Sequence, residues 1–241
     1  MRKVILLTAL ASFILVGLFF LFKSSRNAQS LEQLASRINK DDFYIENLRK
    51  RNFVANNIEI IKLLQKTRDF NRYLIRYKSE ELKISGMMNL PLTKGPLPAI
   101  ILNHGFFSPK KYKTGRGTKE VADYLATRGY VTIASDYRNR GGSDRGPDIF
   151  NHFGSLYDVL YLLEAVKQLE VVDPEKIGMW GHSKGGWIAL KVIAANKGIK
   201  VAALFSPMSA DDLDNYKALR KWHPGVVRVL ISLYGEPDKN P

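Results

Sequence analysis

Downstream of Tyr73 the hydrophobic and polar positions fall into two successive regimes. "RYLIRYKS" and "LKISGMMNLP" alternate around a short "SEE" connection, the period-two pattern of a hairpin with one face covered. "LPAIILNHG" is a continuous apolar run, which predicts a strand buried on both faces. From there helix and strand take turns: "TKEVADYLATRG" is an amphipathic helix ended by Gly129, "YVTIASD" a buried strand, and "SLYDVLYLLEAVKQLE" a helix with apolar residues three and four apart. "KIGMWG", "KGGWIALKVIAANKG" and "KVAALFSP" continue as strand, helix and strand. Antiparallel strands leading into strand-helix units predict an α/β fold, a mostly parallel sheet with helices on both faces.

Upstream the pattern weakens. Residues 24–70 are polar, with "SLEQLASRI" and "NNIEIIKLLQKT" giving mixed spacing, and are expected to be a linker and irregular lead-in to a domain spanning 71–241. Residues 1–23 stand apart: a cationic start precedes an unbroken apolar run from Val4 to Phe22. At about 1.5 Å per residue the run spans roughly 28 Å, close to a bilayer core. "FFLFKSS" lacks the small residues of a cleavage site, so an uncleaved membrane anchor is favoured over a cleaved signal peptide. Either way the expected location is extracytoplasmic, membrane-anchored or, after cleavage, secreted.

Composition narrows the chemistry. Cysteine is absent, which removes disulfides, thiolate metal sites and a cysteine nucleophile. Four histidines without ligand-like spacing predict no metal site and, with no cofactor motif, no cofactor. The formal net charge is +14, but the basic residues are scattered over "NLRKRNF", "SPKKYKTGRG" and "ALRKW", so no nucleic-acid partner is expected.

Within the predicted strand-helix order, "GMWGHSKGGW" puts Ser183 in the turn between the strand "KIGMWG" and the following helix. That is the context a G-x-S-x-G elbow requires. Side chains two residues either side of the serine would collide with neighbouring backbone, and Gly181 and Gly185 remove them. Acyl transfer also needs two donors for the oxyanion. The turn "NHGFFSP" after "LPAIIL" supplies the second element, with Gly105 allowing the bend, and the assigned donors are the backbone N–H groups of Phe106 and Lys184. Asp136 and Asp144, in "SDYRNRGGSD", are read as shaping the rim of the site. The cluster "SPKKYKTGRG" lies beside the proposed oxyanion loop and, apart from a plainly solvated role, suggests a preference for anionic substrates.

On "NHGFFSP", "GYVTIASDYRNRGGSD", "DPEKIGMWGHSKGG" and "YGEPDKNP" the chain resembles the α/β-hydrolase superfamily, in particular its prolyl-oligopeptidase-like and dienelactone-hydrolase-like serine hydrolases. The resemblance implies acylation of Ser183 by an ester or peptide carbonyl, followed by release with water. It departs at Lys184, where methionine or an aromatic residue is more usual. It departs again at His104, where true prolyl oligopeptidases carry a tyrosine, and this moves weight toward small-molecule esters.

The superfamily order is nucleophile, acid, histidine. After Ser183 the only histidine is His223, preceded by Asp211, Asp212 and Asp214 without an intervening buried strand. His104 and His182 lie in the motif loops, and nothing in the order recommends His152. "VVRVLISL" reads as a seventh strand that makes Asp238 the acid, or "YGEPDKNP" closes a helix before that strand; the second is favoured. Both leave the last one or two strands and the catalytic histidine absent, so the expectation is a C-terminally incomplete hydrolase with "KVAALFS" as an exposed sheet edge. The alternative is a membrane-tethered, non-catalytic binding domain that keeps the fold.

Overall fold

The computed structural model describes residues 44–54, 57–148 and 153–222, and in the C-terminal stretch 224, 227, 228, 231, 235 and 236. Residues 43–218 form one compact unit. In chain order it contains α1 (Ile45–Lys50), β1 (Glu59–Lys66), β2 (Phe70–Ser79), β3 (Leu82–Pro91), β4 (Leu97–Asn103), α2 (Lys119–Ala126), β5 (Val131–Ser135), α3 (Phe153–Lys167), β6 (Val172–His182), α4 (Lys184–Ala195) and β7 (Ile199–Phe205). A last helix, α5 (Asp212–Trp222), begins in this unit and runs out of it.

The seven strands form one sheet in the order β1-β2-β3-β5-β4-β6-β7. Pairing is antiparallel from β1 through β3 to β5, and parallel from β5 through β4 and β6 to β7. The hairpin and the strand-helix alternation therefore stand where the periodicity puts them. Parity along β4 shows how the faces are divided. Ala99 and Ile101 join a large core with Leu160, Leu163 and Val166 of α3 and Ile188 and Val192 of α4. Ile100 and Leu102 turn the other way, onto Ala122 of α2 with Val121 and Leu125 beside it. A strand apolar from Leu97 through Leu102 thus serves two layers, with helices on both faces.

Two differences from the sequence reading have local causes. The stretch expected as linker and lead-in contains α1, which places Leu48 in the core, and β1. In "EIIKLLQK" the doublets break the period of two. The strand absorbs them as register shifts between Ile60 and Lys62 and between Leu63 and Gln65, each leaving one residue out of the ladder. The second difference is α5, where Leu213, Tyr216 and Leu219 recur every three residues within a charged sequence, Tyr216 buried and the two leucines half-buried.

Among the described residues β7 pairs only with β6, and Val201 and Phe205 on it are each 61% exposed. In the C-terminal stretch Val227, Arg228 and Ile231 are helical rather than extended. The Gly235 N–H donates to Ile231 O at 2.8 Å with φ +83°, a glycine stop for a helix. Among the described residues no helix is long and apolar enough to cross a membrane. The expected span 4–22 lies outside the described residues, as do His152, His223 and Asp238.

Candidate active site

The sheet delivers Ser183 at the end of β6 with φ +52° and ψ −119°, a region that a residue with a side chain occupies only under strain of about 1–3 kcal/mol. The surrounding backbone fixes it there. The Ser183 N–H donates to Phe205 O at 3.1 Å, and the Ser183 carbonyl accepts from Gly186 N at 2.9 Å and from Trp187 N and Met208 N at 3.2 Å. The elbow glycines are steric necessities. A Cβ on Gly181 would stand 2.4 Å from Gly185 O, and one on Gly185 only 2.0 Å from Asn103 O. A Cβ on a third glycine, Gly186, would lie 2.6 Å from Pro207 Cβ.

The loop after β4 comes to the nucleophile. A Cβ built on Gly105 would lie 3.4 Å from Ser183 Cβ and 3.2 Å from His182 Nδ1. The next residue, Phe106, carries a solvent-exposed ring, and its N–H has no partner among the described residues. The Lys184 N–H at the start of α4 is likewise unpaired among them, beside the positive end of the helix dipole. Ser183, Gly105, Phe106 and Lys184 therefore share one corner of the sheet. The Ser183 hydroxyl is half-buried and makes no hydrogen bond among the described residues.

His104 does not act on Ser183. Its ring is fully buried, 4.1 Å from the ring of Tyr137 and stacked 4.6 Å from that of Tyr112. Its Nδ1 faces Gly105 O at 2.6 Å and its Nε2 faces Asp136 O at 3.4 Å. Burial, aided by the nearby Lys184 and Arg140 charges, lowers its pKa to about 3; the neutral ring is a structural wedge holding the loop. His182 is stacked against Phe205 at 5.2 Å. The carboxylates of "SADDLD" are engaged elsewhere. Asp211 Oδ1 accepts the Leu213 N–H at 2.8 Å, Asp212 accepts from Trp187 Nε1 at 2.8 Å and Lys191 Nζ at 2.7 Å, and Asp214 accepts from Ser209 Oγ at 3.3 Å.

Asp136 and Asp144 shape loops. Buried Asp136 accepts from Ser85 Oγ at 2.6 Å, Thr114 Oγ1 at 2.7 Å and Tyr112 OH at 2.9 Å, while Asp144 accepts the Lys83 N–H at 2.8 Å. A buried ionic group beneath the elbow was not legible in the sequence. The Lys184 side chain turns into the core, where Nζ donates to Ser155 Oγ at 2.9 Å and lies 3.9 Å from Asp148 Oδ2. Asp148 also accepts from Ser155 Oγ at 3.1 Å and stands 3.6 Å from Arg140 NH1, and Arg140 Nε donates to Phe107 O at 3.2 Å. The nucleophile's neighbour and the oxyanion loop are thereby tied through one network. Burial lowers the Lys184 pKa to about 7. Among the described residues no three His, Asp or Glu side chains gather as metal ligands would.

Known proteins resemble the chain in sequence and fold. The chain is 26% identical over 133 residues to the quorum-quenching protein AidA of Acinetobacter baumannii, across 55% of this chain and 42% of AidA. It is 30% identical over 116 residues to the acyltransferase drtE of Aspergillus calidoustus, across 47% of this chain and 36% of that protein. The chain thus spans less than half the length of these two curated relatives. Among solved structures, the acetyl xylan esterase of Paenibacillus sp. R4 shares the fold, with a TM-score of 0.57 at 20% identity over 84% of this chain and 72% of the esterase. The profile of the serine aminopeptidase S33 family matches residues 96–239, from just before β4 through the elbow to the C-terminal stretch. That is well over half of the chain, and this protein belongs to that family of α/β-hydrolase-fold serine hydrolases.

Proposed function

We propose that this protein is a hydrolase acting on small-molecule esters through an acyl-enzyme on Ser183. The observation that carries the reading is the strained Ser183 backbone with the Gly105 turn against its Cβ. Strain of this kind persists where surrounding structure over-determines it, and it concentrates at reacting groups. In the proposed reaction Ser183 Oγ attacks the carbonyl carbon. The resulting oxyanion is held by the Phe106 and Lys184 N–H groups, the alcohol departs, and water releases the acyl group. Esters are favoured over peptides because the proteins named above include an acyltransferase and an esterase.

The general base and its carboxylate are proposed to come from outside the described residues, since His104 is committed to backbone carbonyls and Asp211, Asp212 and Asp214 to local contacts. We extend the reading to residues 4–22 as a membrane anchor that holds the domain outside the cytoplasm. A second reading, a tethered binding domain, is favoured by the unpaired Ser183 hydroxyl among the described residues.

A fluorophosphonate probe applied to the product of the whole gene separates the two. The enzyme reading expects labelling that disappears in Ser183→Ala. Folded protein that takes no label would support the binding domain instead. Ester turnover by the purified 241-residue chain that is lost in Ser183→Ala would place the base within it.

A further inference from the structure

Beside the oxyanion loop lies a groove of about 580 Å³ lined, among the described residues, by Lys111 and by the stretch from Lys113 to Val121. Four basic side chains line it, Lys111, Lys113, Arg116 and Lys119, against one acidic residue, Glu120. Lys119 is engaged with Asp123 at 3.1 Å. Arg116 donates to Lys111 O and lies over the Phe107 ring at 4.8 Å. Lys111 and Lys113 are exposed and have no carboxylate partner among the described residues.

The arrangement is held from beneath. Tyr112 and Thr114 alternate with the two lysines and both donate to buried Asp136, so these inward side chains leave Lys111 and Lys113 on the open side. The groove also adjoins the proposed catalytic corner. A Cβ on Gly117 would be 2.9 Å from the Phe107 ring and 3.6 Å from His104 Cβ, so its wall packs on residues of the very loop that carries Phe106. Cations without partners in a concave, anchored loop favour a small anion over a neutral group.

We propose that this groove is an anion-binding subsite that receives a carboxylate or phosphate carried by the substrate, so that the preferred esters bear a negative charge on one end. The role as a substrate subsite rests on the hydrolase reading; the capacity to bind a small anion does not.

The experiment has two arms. In the first, inorganic phosphate is titrated into the 241-residue Ser183→Ala protein and followed by amide chemical shifts. Saturable changes centred on 111–121, weakened about tenfold in Lys111→Gln/Lys113→Gln, are expected; equal affinity in that variant overturns the site. Retained thermal unfolding of the double variant shows that it is folded. In the second arm, p-nitrophenyl acetate and p-nitrophenyl hydrogen succinate are compared with the product of the whole gene. A preference for the succinate ester, lost about tenfold in the double variant while acetate turnover is kept, supports the substrate role. The same preference in both proteins overturns that role. Phosphate binding that depends on the two lysines, with neither ester hydrolysed, would retain the anion site and sink the hydrolase reading.

Discussion

Lys184 performs two tasks with one residue. Its backbone N–H is the proposed oxyanion donor, and its side chain enters the core to meet Ser155 and Asp148. The sequence discloses the first task through its place after Ser183 and conceals the second, because periodicity does not say which charged residue is buried. The second task leaves a signature in stability. Burial lowers the amine from an ordinary 10.5 to about 7. Between those values the unfolded chain binds a proton that the folded chain does not, so stability rises with pH across that window. Below about pH 7 both states are protonated and the slope vanishes. The slope from one such proton is at most about 1.4 kcal/mol per pH unit. Lys184→Met removes the titrating group, so the unfolding free energy of the unsubstituted protein minus that of the variant should increase from pH 7 to pH 9 in urea titrations. A flat difference would show that the amine is not buried as described.

At the scale of elements, the strands and helices that position Ser183 were legible because each keeps a clean period. The hairpin β2-β3 alternates, β4 is apolar through Leu102, and α3 and α4 repeat at three and four. β1 escaped notice because its Ile60-Ile61 and Leu63-Leu64 pairs fit a strand only once bulges are allowed. α5 escaped because its short apolar stripe of Leu213, Tyr216 and Leu219 is diluted by charged residues; at its start Asp212 accepts from Trp187 Nε1 and Lys191 Nζ of α4. The candidate site divides the same way. The elbow and the Gly105 turn follow from residue types at fixed spacing, whereas the Arg140–Asp148–Ser155–Lys184 group joins residues of three separate segments and leaves no local mark. The α5 contact is testable. Asp212→Ala removes a charged acceptor from a buried indole N–H, a loss of about 1–3 kcal/mol, and Asp212→Asn, which keeps an acceptor, should recover part of it. Urea midpoints for the two variants measure this; equal midpoints for Ala and the unsubstituted protein would detach α5 from the fold's stability.

For the whole molecule, the two edges of the sheet differ in how they meet solvent. β1 exposes Ile60, Ile61, Leu63 and Leu64 but interrupts them with Glu59, Lys62, Gln65 and Lys66 and carries two register shifts, devices that discourage pairing with another copy. β7, "IKVAALF", has one charge, Lys200, and exposes Val201 and Phe205. Association between copies is therefore expected through β7, opposed by the formal charge of +14 that every copy carries. Salt weakens that opposition, since repulsion between surface charges is screened beyond about 8 Å at physiological ionic strength. Light scattering of the 241-residue protein in detergent, which covers the apolar run 4–22, should accordingly grow from low to high salt. Val201→Lys places a charge in the middle of the exposed edge, and its scattering should stay near the monomer value at both. Scattering that rises equally in the variant would move the association away from β7, and scattering that falls with salt would show that charge attraction rather than the bare edge holds the copies together.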